Sequence, residues 1–230
     1  MKRRLETLGW TLVWLGLFVF GYLGYQLYFT DVLNARSQTE AKVAVRNFLE
    51  GEQLPPREVA PEEEEVEPVV HYPEEAPEEG APFGVIRIPK IGVDAVAFEG
   101  VTVPVLREGP GHMPGTAFPG QPGNAVISGH RTTYGRPFFD LDLLVEGDLI
   151  EVETAIGVHT YQVRWIEVVL PTDVWVAEHR PGAWLTLTTC EPKFSARQRL
   201  IIAAELVEGF NLEYVQFLED GGEAAVIVPA

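Results

Sequence analysis

The chain has 230 residues, with 34 acidic against 17 basic side chains and a formal net charge of −17. Twelve acidic residues and one basic residue, Arg57, fall between Glu50 and Gly80, so that stretch carries −11 and everything else −6. No basic patch or stripe is left to meet phosphates, which argues against nucleic acid as a partner, and a single cysteine excludes a disulfide framework.

The first nine residues include Lys2, Arg3 and Arg4 against Glu6. Trp10–Phe29 then runs for twenty residues without a charge, enough to cross a hydrocarbon core of about 30 Å at about 1.5 Å per residue. Trp10 and Trp14 lie near one end and Tyr25 and Tyr28 near the other, as interfacial aromatics do. A cleaved signal peptide is the competing reading, but its apolar region is about 7 to 15 residues and ends in a small-x-small site. Here the run is longer and closes on Tyr28, Phe29 and Thr30. The expectation is a transmembrane signal-anchor at 10–29, with residues 1–9 cytoplasmic and the rest extracytoplasmic.

Residues 30–50 have the composition of a short juxtamembrane helix, with Val32, Leu33, Ala41, Val43, Val45, Phe48 and Leu49 spaced among charges. Residues 51–82 are rich in Glu and Pro and lack a periodic apolar pattern. Such a segment reads as a solvated spacer that would hold the folded part away from the bilayer.

The folded domain spans 83–209. Predicted strands are Gly84–Ile88, Ala95–Glu99, Asn124–His130, Leu149–Thr154, His159–Val169, Val174–Ala177, Ala183–Thr189 and Arg199–Leu206, with Phe138–Leu144 as a short helix. Many short strands and no long amphipathic helix predict a mainly β fold, a closed or nearly closed barrel. For the tail, 210–230, the pattern makes no prediction.

Three of these strands end on residues that carry chemistry. In Ala183–Cys190, alternation puts Leu185 and Leu187 on the core face and Trp184, Thr186, Thr188 and Cys190 on the other. Arg199 opens the next strand, facing away from Leu200, Ile202 and Leu206. If the two strands pair as a hairpin, Cys190 and Arg199 meet at one rim, on one face. His130 closes a third apolar strand just before the polar turn Arg131–Gly135, where a rigid scaffold commonly presents functional groups. A thiol attacks as thiolate, which neighbouring positive charge favours. A histidine can move the proton, and a guanidinium can hold a developing oxyanion. Cys190, His130 and Arg199 are thus chemically sufficient for acyl transfer. The bland alternative is a small buried structural cysteine.

These residues also resemble a known family. Thr186-Leu187-Thr188-Thr189-Cys190 resembles the TLxTC motif of sortases, and Arg199-Leu200-Ile201-Ile202 the arginine-led strand after it. Ser128-Gly129-His130-Arg131 resembles the segment with the sortase histidine, and Ile88-Pro89-Lys90-Ile91-Gly92-Val93 the early IPxIxV-type strand. Gly109-Pro110-Gly111-His112 with Gly115-Thr116-Ala117 resembles the GPGH…GT segment. The matches keep the family's order from about Phe83 to Val207. The wording HRTTYG with TTCEPKFSARQRL is most similar to the class E sortases of actinobacteria.

The resemblance implies an eight-stranded sortase-type β-barrel. It also implies a cysteine transpeptidase that cleaves a Thr–Gly bond in a C-terminal sorting signal of secreted proteins through a thioacyl intermediate. The acyl group then passes to an amino group of a cell-wall precursor. On that basis Cys190 is the nucleophile, His130 the acid/base and Arg199 the oxyanion or positioning residue, with an LAxTG-like signal favoured over LPxTG. Thr189 and Tyr134 are expected to touch substrate. The acidic calcium-binding cluster of class A is not matched, so no metal and no cofactor are expected.

His112 is read as structural or substrate-proximal, His159 and His179 as surface or edge residues, His71 as part of the spacer, and Glu191 as pointing to solvent. Three rivals stand open. The first is an L,D-transpeptidase-type enzyme, whose cysteine has an SxGCxR-like context unlike Thr188-Thr189-Cys190-Glu191-Pro192. The second is a membrane-tethered β-barrel binding module with a structural cysteine. The third is a sortase-type enzyme that mainly hydrolyses or polymerises pilin subunits.

Overall fold

A computed structural model describes residues 10, 13–22, 25, 30–51 and 69–222. Residues 13–22 are helical, and the remainder of the expected span, apart from Trp10 and Tyr25, lies outside the described residues. Among the described residues no helix is long and apolar enough to cross a membrane.

Eight strands close a barrel in the order β1-β2-β3-β4-β7-β8-β6-β5. They are β1 (Pro82–Ile88), β2 (Val93–Glu99), β3 (Gly111–His112), β4 (Gly123–Ser128), β5 (Leu149–Thr154), β6 (Gly157–Val169), β7 (Ala183–Glu191) and β8 (Gln198–Glu208). Beside the helical residues 13–22, the described residues include the 22-residue helix α1 (Thr30–Gly51) and the short helices α2 (Val103–Glu108) and α3 (Leu212–Glu219). Closure leaves no unpaired edge, since β5 bonds to both β6 and β1. The inward positions fill the barrel: Ile86, Ile88, Ile127, Ile150, Val152, Tyr161, Leu185, Leu187, Leu200 and Ile202 form one buried cluster.

Strands β1 and β2 depart from simple alternation because both of their faces are covered. Ile86 and Ala97 point into the barrel, while Val85, Val96 and Phe98 pack outward against Val45 of α1 and Val105 of α2. Each such fully buried side chain contributes roughly 1.5–3 kcal/mol. Polar ties complete the dock. Gln38 donates to the Glu108 carbonyl (2.6 Å) and accepts from the Val96 amide (2.8 Å), and Lys42 pairs with Asp94 (2.8 Å).

Several expectations are corrected. Val174–Ala177 is a 3-10 turn, not a strand. Strand β7 is already paired on both sides, by β4 and β8, so this segment has no edge to join. It caps the outer face instead, with Val176 packed on Val169 and Ile201. The predicted helix at Phe138–Leu144 shrinks to a 3-10 turn, Leu141–Leu143.

The spacer expected over 51–82 also ends sooner. Residues 52–68 lie outside the described residues, but the stretch from 69 onward is laid on the barrel. The Tyr72 amide donates to Asn211 Oδ1 (2.8 Å), Glu74 accepts from Thr154 Oγ1 (2.6 Å) and the Ala155 amide (3.0 Å), and His71 stacks on Tyr214 (4.2 Å).

Candidate active site

The three residues singled out by sequence lie where β4 and β7 end and β8 begins. Strands β7 and β8 run antiparallel with Cys190 directly opposite Arg199, so their side chains share a face. Strands β4 and β7 run parallel with Ser128 opposite Thr188. Strand β4 ends at Ser128 and His130 follows it by two residues, as Cys190 follows Thr188 within β7.

Buried side chains lock this register at both ends. Thr186 Oγ1 donates to Asn124 Oδ1 (2.7 Å), and Thr189 Oγ1 donates to the Gly129 carbonyl (2.7 Å). Thr189 is therefore not placed as a substrate contact. It is 3% exposed, sits on the inner face with Leu185 and Leu187, and spends its hydroxyl on the peptide next to His130. Gly129 itself must lack a side chain, because a Cβ there would lie 2.5 Å from the Phe138 ring. The Phe138 amide donates to the His130 carbonyl (3.2 Å), closing the loop that follows the histidine.

His130 is half-buried, and its Nε2 has no hydrogen-bond partner among the described residues. Burial, followed by the Arg107 cation, holds its pKa below the ordinary histidine value. Neutral imidazole is therefore favoured, with a nitrogen uncommitted and able to exchange a proton with a group at the rim. Tyr134 packs against the ring at 5.0 Å between centroids. Its phenol thus adjoins the expected acid/base, which keeps it a candidate for lining the site. Cys190 is a free, half-buried thiol. Arg199 Nη1 donates to the carbonyls of Ala196 (3.1 Å) and Gln198 (2.9 Å), so the loop it follows seats its guanidinium.

One residue that sequence reasoning passed over binds the rim together. Arg131 is only 2% exposed. Its Nη1 donates to the Cys190 carbonyl (3.1 Å) and to the Glu191 carboxylate, and its Nη2 pairs with Asp142 (3.1 Å). Glu191, expected in solvent, is thus turned inward onto Arg131. A charge next to a histidine in a polar turn reads as solvated, and the signal that could have found it is the acidic residue directly after the cysteine. Lys193 extends the cluster, pairing with Asp140 and Asp142 (3.2 Å each).

The other histidines divide. His112 is buried, with Nδ1 on Glu99 (2.7 Å) and Nε2 on the Ala117 carbonyl (2.8 Å), a structural tie. His159, expected at the surface, is fully buried between β6 and the β5 end, with Nε2 near Thr154 Oγ1 (3.0 Å). Among the described residues no group of three or more His, Cys, Asp or Glu side chains is arranged to hold a metal ion.

A family model described as the sortase domain matches residues 86–207, just over half of the chain. Sortase SrtE1 of Streptomyces coelicolor is 35% identical over 147 residues, covering 57% of this chain and 42% of that protein. The chain therefore spans less than half the length of that relative. Sortase D of Bacillus subtilis is 28% identical over 179 residues, covering 77% of this chain and 84% of the relative. Among solved structures, sortase E from Streptomyces avermitilis superposes with a TM-score of 0.53 at 38% identity, covering 57% of this chain and 91% of that one. Sortase E1 from Streptomyces coelicolor, with a tripeptide in the active site, gives 0.54 at 32% identity, covering 59% and 92%.

Proposed function

This chain belongs to the sortase family, and on that premise we propose that it is a membrane-anchored cysteine transpeptidase of the class E type. It cleaves the Thr–Gly bond of an LAxTG-like or LPxTG-like sorting signal on secreted proteins. It then passes the acyl group to an amine of a cell-wall precursor. The observation that carries this reading is the rim register: Cys190 opposite Arg199 across β7 and β8, with His130 two residues beyond Ser128, whose partner Thr188 lies two residues before Cys190.

Neutral His130 takes the Cys190 proton as Sγ attacks the threonine carbonyl carbon. Negative charge gathers on the carbonyl oxygen, which the Arg199 guanidinium stabilises. The C–N bond breaks, the imidazolium returns its proton to the departing glycine amine, and a thioester remains. The acceptor amine attacks that thioester and gives its proton to His130, and the Cys190 sulfur leaves and takes that proton back, which restores thiol and neutral imidazole. Apolar residues 10–29 anchor the chain with its N-terminus in the cytoplasm and the barrel outside. The likeness to two sortase E structures supports the class, as does the 35% identity to SrtE1.

The test uses the full chain in detergent micelles, with LAxTG and LPxTG peptides, an amine acceptor and mass spectrometry. A ligated product that Cys190→Ala abolishes supports the transpeptidase, and the better peptide sets the signal. A thioacyl adduct at Cys190 that only water resolves points to a hydrolase. Absence of both product and adduct from folded protein would sink the enzymatic reading for these substrates.

A further inference from the structure

A continuous set of contacts runs from the N-terminal helix to the active-site histidine, and none of its members touches the rim from inside the barrel. Asn34 of α1 donates through Nδ2 to the carbonyls of Arg107 and Glu108 (2.8 Å each), the last residues of α2. Gln38, one turn on, donates to the Glu108 carbonyl as well. These bonds satisfy carbonyls that a helix C-terminus leaves without partners, and they fix where α2 ends. The Arg107 guanidinium, seated there, lies over the Tyr134 ring at 5.4 Å from its centroid. Tyr134 packs in turn on His130.

The loop is built to receive α1. Tyr134, Gly135 and Arg136 are successive residues with positive φ (52°, 75° and 49°). Such backbone is costly for side chains other than glycine and persists where surrounding contacts hold it. A Cβ on Gly135 would run into the Asn34 carboxamide, so the glycine answers both the φ and the close approach of the helix.

We infer that Arg107, seated by Asn34 of α1 and stacked over Tyr134, is a positioning residue that holds the His130 imidazole. Docking of the N-terminal helix thereby tunes the active site from outside it. The inference rests on the assignment of His130 as the acid/base. Every charged or titratable group facing the histidine belongs in the account. Arg107 comes from α2, Tyr134 and Arg131 from the histidine's own loop, Cys190 and Glu191 from β7, and Arg199 from β8. Arg131 is neutralised by Glu191 and Asp142, and Arg199 is turned onto the Ala196 and Gln198 carbonyls; Arg107 is the cation that opposes imidazolium, next after burial itself.

The test reads the histidine directly, so it does not depend on turnover. The His130 ring is titrated by NMR in the full chain in micelles, with assignment by His130→Asn. In R107Q the midpoint moves upward, because a like charge has been removed. R107K keeps the charge and holds the wild-type midpoint, although the loss of its planar stack broadens the Tyr134 and His130 signals. N34A moves the midpoint in the same direction as R107Q, and added salt shrinks the difference between wild type and R107Q because Arg107 is exposed. An unmoved midpoint in R107Q, with a folded spectrum, overturns the inference, and so does a shift of R107K equal to that of R107Q. A wild type that titrates as described yet ligates no peptide would leave this coupling standing while the proposed reaction fails.

Discussion

The two ends of the barrel use the same strands and treat histidine in opposite ways. At the base, His159 is wholly enclosed, and burial drives its pKa down to about 4. The Tyr161 phenol nearby is fully buried, accepts from the Gly120 amide (2.6 Å), and burial pushes its pKa far above the ordinary tyrosine range. At the rim, His130 is only half-buried, its Nε2 has no partner among the described residues, and it adjoins the Tyr134 ring and the Arg107 charge. Both histidines are depressed, so a depressed pKa does not by itself mark function. The rim differs because groups of complementary chemistry converge where strands end and solvent begins.

Perturbing each end sharpens that contrast. The largest effect belongs to Cys190→Ala, which should remove thioacyl adduct and ligation by at least ~10³-fold while leaving the unfolding midpoint in denaturant nearly unchanged. Arg131→Ala strips the partner from Glu191, from Asp142 and from the Cys190 carbonyl. It should lower stability by about 2–4 kcal/mol and reduce ligation as well, a double loss that a purely structural residue at the base would not produce.

The base answers to pH. His159 resists protonation when folded but takes a proton near 6.5 when unfolded, so the unfolded state binds more protons between about pH 6.5 and 4. Stability should fall as pH drops through that window, by up to about 3 kcal/mol. H159Q should flatten the fall, as measured by urea unfolding at pH 7 and 4.5. Least disruptive is Asn211→Ala. It removes the bonds to Tyr72 and the Gly120 carbonyl, costs about 1–3 kcal/mol, and leaves ligation per folded molecule as it was.

The rim was legible in the sequence because alternation is a strict rule. Leu185, Leu187, Leu200 and Ile202 assign the faces, and one hairpin then places Cys190 against Arg199. What escaped has a shared physical cause: segments whose partners are distant. Val174–Ala177 is apolar enough for a strand, but no edge remained for it. Helix α2 has six residues and a proline at its start, too short for a period to show. Strand β3 is two residues in a Gly-Pro-Gly turn. Thr189 looked available because it precedes Cys190, yet alternation already put it on the Leu187 face. Residues 69–82 read as solvated on composition, and partners far along the chain, Asn211, Thr154 and Tyr214 among them, reveal their seat.

The covered faces of β1 and β2 take on a different meaning once α1 is counted as a removable wall. Val85, Val96 and Phe98 meet Val45 and Ala41 on that side rather than the barrel interior. A chain cut to begin at β1 would turn this stripe to water, and a contiguous apolar patch on a small domain invites copies to pair. The first sign would be sedimentation that changes with concentration, not loss of the barrel.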